Sequence, residues 1–157
     1  MKGLKQLRRI TSRQRGLTLI EILVVLTIIS VLAMLATPLY QGYRLRTKVG
    51  VGVTTMAPVQ RLATEHFILE GRWPADNAEA GARAPDTYTV NFVSSVAITD
   101  SPVPGSIVIT YDNSQLRMLG NDNTLIYYPE ASSDTSITWS CNRGSMNNRY
   151  RPANCRT

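Results

Sequence analysis

The 157-residue chain has room for one modest domain, and its 43% hydrophobic and 18% charged residues are strongly segregated along it. The formal charge of +6 invites a nucleic-acid reading, yet six of the 17 basic residues (Lys2, Lys5, Arg8, Arg9, Arg13 and Arg15) fall in the first sixteen positions with no acid among them. Without those six the balance is 11 basic against 11 acidic residues, which excludes a generally basic binding body.

The basic arm, residues 1–16, runs directly into an apolar stretch. That order fits a cytoplasmic flank retained by the positive-inside rule better than a DNA-binding arm. From Ile22 to Tyr43 no charge occurs and most side chains are aliphatic. About twenty such residues span a bilayer core of roughly 30 Å as a helix. Small residues follow the apolar core of an ordinary secretory signal; here Gly16 precedes it.

The helical pattern continues beyond the apolar run. Val49, Val53, Met56, Ala63 and Phe67, with Val59 and Leu62 nearby, form one apolar stripe at spacings of three and four. Gly71 offers a stop, and Trp73-Pro74 prevents continuation. The predicted helix, residues 17–70, would be roughly 80 Å long at 1.5 Å per residue, so half of it needs a partner outside its own domain. Pro38 and Pro58 predict bends, and Gly42, Gly50 and Gly52 predict a weak zone between Ser30 and Gly52.

Residues 71–157 read as a loop, a sheet and a Cys-bearing tail. Pro74 to Asp86 is rich in Ala, Gly, Asp and Asn. Strands are predicted at Thr87–Val93, Ser106–Tyr111, Gln115–Leu119, Thr124–Tyr128 and Ser136–Trp139, separated by turn residues such as Asp112-Asn113-Ser114. An antiparallel meander of about four strands packed on the helix stripe makes the fold class α+β. Cys141 and Cys155 suggest one disulfide in an exported chain, worth about 3 kcal/mol for a loop of roughly fifteen residues; two free thiols are the cytosolic alternative.

Arg15-Gly16-Leu17-Thr18-Leu19-Ile20-Glu21 is the most informative segment. A carboxylate in a membrane span costs about 3 kcal/mol on insertion scales and normally has a partner, unless it snorkels to the interface. The segment resembles the type III signal of type IV prepilins. The resemblance continues through Pro38-Leu39-Tyr40-Gln41-Gly42-Tyr43, through the helix end from Glu65 to Pro74, and through Trp139, Cys141, Pro152 and Cys155. Those segments follow the family's order and cover most of the chain from Arg15 onward.

The resemblance implies a structural subunit made as an inner-membrane precursor and polymerised with copies of itself into a surface pilus for adhesion, twitching motility or DNA uptake. A prepilin peptidase would cut between Gly16 and Leu17 and methylate the Leu17 amine, and inner-membrane assembly machinery would build the filament. Glu21 would pair with the amino-terminal charge of a neighbour, and Cys141 with Cys155 would close the tail. Two departures point toward a variant, a minor subunit or a start downstream of Met1: Leu17 replaces the usual Phe, and the leader is longer than usual. The rival readings are a minor pilin or type II secretion pseudopilin, and a signal-anchored periplasmic binding module.

Catalytic chemistry finds no support in the pattern. The single histidine, His66, has no Cys or second His near it, and Asp76, Glu79 and Asp86 read as loop-solvating acids. No phosphate-binding loop or zinc-ligand spacing occurs, so no metal or other cofactor is expected. After Asp134 only basic charges follow, namely Arg143, Arg149, Arg151 and Arg156. They read as a solvated face, with an anionic partner such as DNA as the alternative.

Overall fold

The computed structural model describes residues 16–131 and 136–157; all six basic residues of the arm at 1–16 and the acid Asp134 lie outside them. Its first element is one helix, α1, from Leu19 to Glu70. Thr18 begins it. The Thr18 hydroxyl accepts from the Glu21 N–H at 3.4 Å, and the Thr18 carbonyl accepts from Glu21 and Ile22 N–H at 3.2 and 3.3 Å. Thr18 and Glu21 stand in the Thr-x-x-Glu order of a capping box.

Within the apolar half, polar side chains satisfy themselves on the helix. The hydroxyls of Thr27, Ser30 and Thr37 donate to the carbonyls of Val24, Leu26 and Ala33 at 2.7 to 2.8 Å. Such back-bonding leaves no hydroxyl needing water, which suits an apolar surrounding. The helix is continuous through Pro38 and Pro58 and through the zone predicted between Ser30 and Gly52.

From Leu45 onward α1 carries a buried stripe: Leu45, Val49, Gly52, Met56, Val59 and Ala63, alternating steps of four and three. Val53 and Leu62 pack at its margin. The helix ends where Gly71 takes a φ of +72° and its N–H reaches the Phe67 carbonyl at 2.9 Å.

Four strands form one antiparallel sheet in sequence order: β1 (Val93–Thr99), β2 (Ser106–Tyr111), β3 (Thr124–Ala131) and β4 (Ile137–Arg143). Val96, Ile98, Ile107, Ile109, Tyr111, Leu125 and Tyr127 join the α1 stripe in a single core. The fold is a long helix on a four-stranded antiparallel sheet, an α+β layer pair.

Of the predicted strands only Ser106–Tyr111 keeps its bounds; β3 and β4 run on to Ala131 and Arg143, and two predicted strands are turns. Thr87–Val93 is not a strand: Pro85–Tyr88 forms a 3-10 turn, with Val90 bridging back to Val93. The first strand instead starts at Val93, where a register shift between Val93 and Ser95 breaks the alternation that would have announced it. Gln115–Leu119 is also not a strand, because Arg117–Leu119 is a 3-10 turn after β2. Buried Leu116 and Leu119 there resemble a strand face in composition alone.

Both sheet edges are covered. On the β1 side, Asn77 is only 3% exposed; its amide donates to Val96 O at 3.0 Å and Arg83 O at 2.9 Å, and accepts from Ile98 N–H at 2.7 Å. On the β4 side, the tail is held by the Cys141–Cys155 disulfide, with Cα atoms 4.7 Å apart. Arg151, 8% exposed, donates to the carbonyls of Met146 and Gly144 at 2.9 and 3.0 Å and to that of Asn142. The four-arginine tail of the sequence reading is thereby corrected: Arg143, Arg149 and Arg156 are exposed, and Arg151 is a buried clamp.

Candidate functional site

The residues singled out in the sequence gather at two places. Gly16, Leu17 and Glu21 lie at the start of α1, all exposed. A Cβ placed on Gly16 would meet nothing within 4 Å, so the fold supplies no reason for glycine there. Glu21 occupies the first helical turn, where free N–H groups and the helix dipole favour a carboxylate. Thr18, which caps the helix beside Glu21, is the residue that sequence reading overlooked, although Thr-x-x-Glu was the signal that could have found it.

Beyond this turn the helix exposes one apolar side chain after another. Leu19 is 83% exposed, and Ile22, Leu23, Leu26, Ile29, Leu32, Leu35 and Leu39 all stand free of the chain's own packing. This is a helix long and apolar enough to cross a membrane, and none of its most apolar stretch is buried by its own chain. Apolar patches of that extent mark contact with lipid or with other protein. Glu21 is the sole acid on this stretch.

The second place is the tail, where Cys141 and Cys155 are bonded. Burial raises the Tyr127 phenol pKa, and its hydroxyl lies 3.3 Å from the Cys155 sulfur. Neither the histidine nor the loop acids join either place. His66 Nδ1 is 3.1 Å from the Arg72 carbonyl, and Glu79 takes the Ala75 N–H at 2.6 Å and an ion pair from Arg72. That N–H first, and Arg72 second, hold the Glu79 carboxyl below the ordinary carboxylate value.

Two family models divide this architecture between them. Residues 11–37 match the prokaryotic N-terminal methylation motif, and residues 46–156 match Pilin, a bacterial filament family. The chain belongs to the pilin family. Among its relatives, the fimbrial protein EcpC of Eikenella corrodens is 32% identical over 143 residues, covering 91% of each chain. The type IV major pilin protein PilE of Neisseria gonorrhoeae is 25% identical, over 91% of this pilin and 94% of PilE. The type IV major fimbrial protein FimA of Dichelobacter nodosus is 28% identical, over 92% of this pilin and 96% of FimA. The apolar start of α1 is thus the methylation-motif part of a pilin, and the core with its disulfide is the pilin part. The family is structural, built for polymerisation into filaments.

Proposed function

We propose that this pilin is made as a prepilin, cut between Gly16 and Leu17, methylated on the Leu17 amine, and assembled through α1 into a type IV pilus. The observation that carries the proposal is the unburied apolar helix with one carboxylate in its first turn. In the inner membrane the helix is satisfied by lipid. In a filament the same surface packs on other copies, exchanging one apolar surrounding for another.

The proposed role of Glu21 follows from electrostatics. A carboxylate and an amine are each disfavoured in low dielectric, and pairing them across two copies offsets both penalties. A neighbour in the wrong register leaves two unpaired charges, so Glu21 would set register as well as anchor the subunit. Gly16 supports cleavage: with no steric reason for glycine in the fold, an absent side chain serves the close approach of a membrane peptidase. Inner-membrane machinery completes assembly, and the cell surface is the destination.

The experiment is an intact mass of protein sheared from producing cells. A species starting at Leu17, with one added methyl group and two fewer hydrogens for the disulfide, abundant in the sheared fraction, establishes the major-subunit reading. The same species confined to membranes favours the minor pilin or pseudopilin. A chain retaining Met1 in processing-competent cells overturns the proposal. Gly16→Leu should block cleavage and filaments together, whereas Glu21→Ala should be cut normally and build few filaments.

A further inference from the structure

Two exposed features of the Leu39–Thr157 unit are left unused by the assembly site at the start of α1. The first is a groove of about 290 Å³ beside α1, lined by Gln41, Arg44, Leu45, Lys48 and the segment Ser114–Met118. Leu45 and Leu116 are buried beneath it, and Met118 is half exposed at its rim. Among the described residues three cations (Arg44, Lys48 and Arg117) and no acid line it. The nearest acid in sequence, Asp112, accepts from the Ser114 N–H at 2.8 Å and the Gln115 side chain at 3.1 Å. The Lys48 ammonium sits over the Phe92 ring at 4.6 Å, which fixes its position.

The second feature is a ridge of exposed side chains, Ile68 and Leu69, beside a shallow concavity of about 380 Å³ near the other end of α1. Ile68 and Leu69 are 70% and 74% exposed, and with Glu65, Thr64, Arg61 and Gln60 they line a shallow apolar surface. Among the described residues the one ion pair is Arg72–Glu79, so Glu65 has no ion-pair partner among them. Arg61, one turn earlier, is the one cation among the described residues lining that surface.

We propose that the ridge of one copy seats in the groove of another, with Glu65 among Arg44, Lys48 and Arg117 and with Ile68 and Leu69 on the apolar floor. Arg61 shares the ridge, so the charge match is that of Glu65 with the groove's cations; with the apolar side chains of both surfaces it selects a second copy of this chain as the occupant. The proposal rests on the filament reading and adds which surfaces meet. Lys48 and Leu69 are 21 residues apart on one helix, about 32 Å at 1.5 Å per residue. One chain cannot satisfy itself across that distance. Joining different surfaces of two copies is a heterologous contact, which yields a filament where its rotation does not close a ring. Successive copies along this contact would be offset by about 30 Å along α1. The Glu21 pairing reaches only about one helical turn, so it would involve a different neighbour.

The test uses filaments sheared from cells expressing the full chain. Co-expression of Leu69→Cys and Met118→Cys copies should give an oxidised intermolecular dimer that neither variant gives alone. Separately, Glu65→Lys and Arg117→Glu should each lower filament yield about tenfold, as reversal of a desolvated interface charge does, and the double exchange should restore it. Detergent-solubilised variants that melt with the wild type exclude misfolding as the cause. Absent dimers together with unchanged yields in both charge variants overturn the proposal. So does an Arg117→Glu filament of normal yield that merely loses binding to short duplex DNA, which would make the groove a polyanion site. If wild-type cells build no filament of this chain, the proposed function falls and this contact with it.

Discussion

Tyr111, at the end of β2, reaches across the core and donates its hydroxyl to the Val49 carbonyl of α1 at 2.7 Å. The approach depends on Gly52: a Cβ there would lie 2.6 Å from the ring carbon that bears the hydroxyl. The glycine that reads in sequence as a helix loosener is the seat of a tyrosine. Tyr111→Phe should lower stability by about 1 kcal/mol at neutral pH, measured by denaturant unfolding in detergent. Burial pushes the Tyr111 phenol well above its ordinary value near 10. The folded state then holds a proton that the unfolded chain releases, so this stability is whole below about pH 10 and is lost as pH rises further. The loss approaches about 1.4 kcal/mol per pH unit for one such group. The alkaline limb of a stability–pH curve should be shallower for Tyr111→Phe; an unchanged limb would remove Tyr111 from the account, since buried Tyr127 titrates in the same direction. Arg151 gives a second test at this scale. A lysine ammonium cannot span the three carbonyls its guanidinium holds, so Arg151→Lys should cost about 2 kcal/mol in the same assay, despite conserving charge.

At the scale of elements, α1 was legible because its two halves carry two simple signals, an uncharged aliphatic run and a three-four stripe. The stripe itself was mostly right: Val49, Met56, Val59 and Ala63 are buried, while Phe67 leaves it to stack on Trp73 with ring centres 4.4 Å apart. Trp73, read only as a helix terminator, also meets Trp139 edge-on at 5.5 Å, tying the helix end to β4. A Cβ on Gly105, before β2, would lie 2.7 Å from the Trp73 ring, which explains the glycine of that turn. β1 was missed because its buried residues Val93, Val96 and Ile98 do not alternate strictly until after the irregularity. The disulfide joins β4 to the tail across a sequence separation of 14. Replacing both Cys141 and Cys155 by Ser should cost about 3 kcal/mol by loop-closure entropy. It should also speed amide hydrogen exchange along Ile137–Arg143, because that edge strand loses its cover. Exchange that stays slow would show that the Arg151 clamp holds the edge alone.

For the whole molecule, the first buried side chain on α1 is Leu45, so the core makes no use of the helix before it. A chain begun at Arg44 should therefore fold with a melting temperature near that of the full pilin, and sediment as a monomer without detergent. Unfolding of this shortened chain would show that the apolar half supports the core after all. The amino-acid order alone determined that the chain has an uncharged apolar run with one acid at its start, a neutral body behind a basic arm, and a cysteine pair within its last seventeen residues. Those are local properties of composition and period, which neighbours in space cannot change. Tertiary structure decided which arginine is buried, which glycine is a packing seat, how the Asn77 amide covers β1, and that the cationic groove and the Glu65 ridge stand apart on one helix. Each of these depends on side chains far apart in sequence meeting across the core, and no spacing along the chain encodes such a meeting.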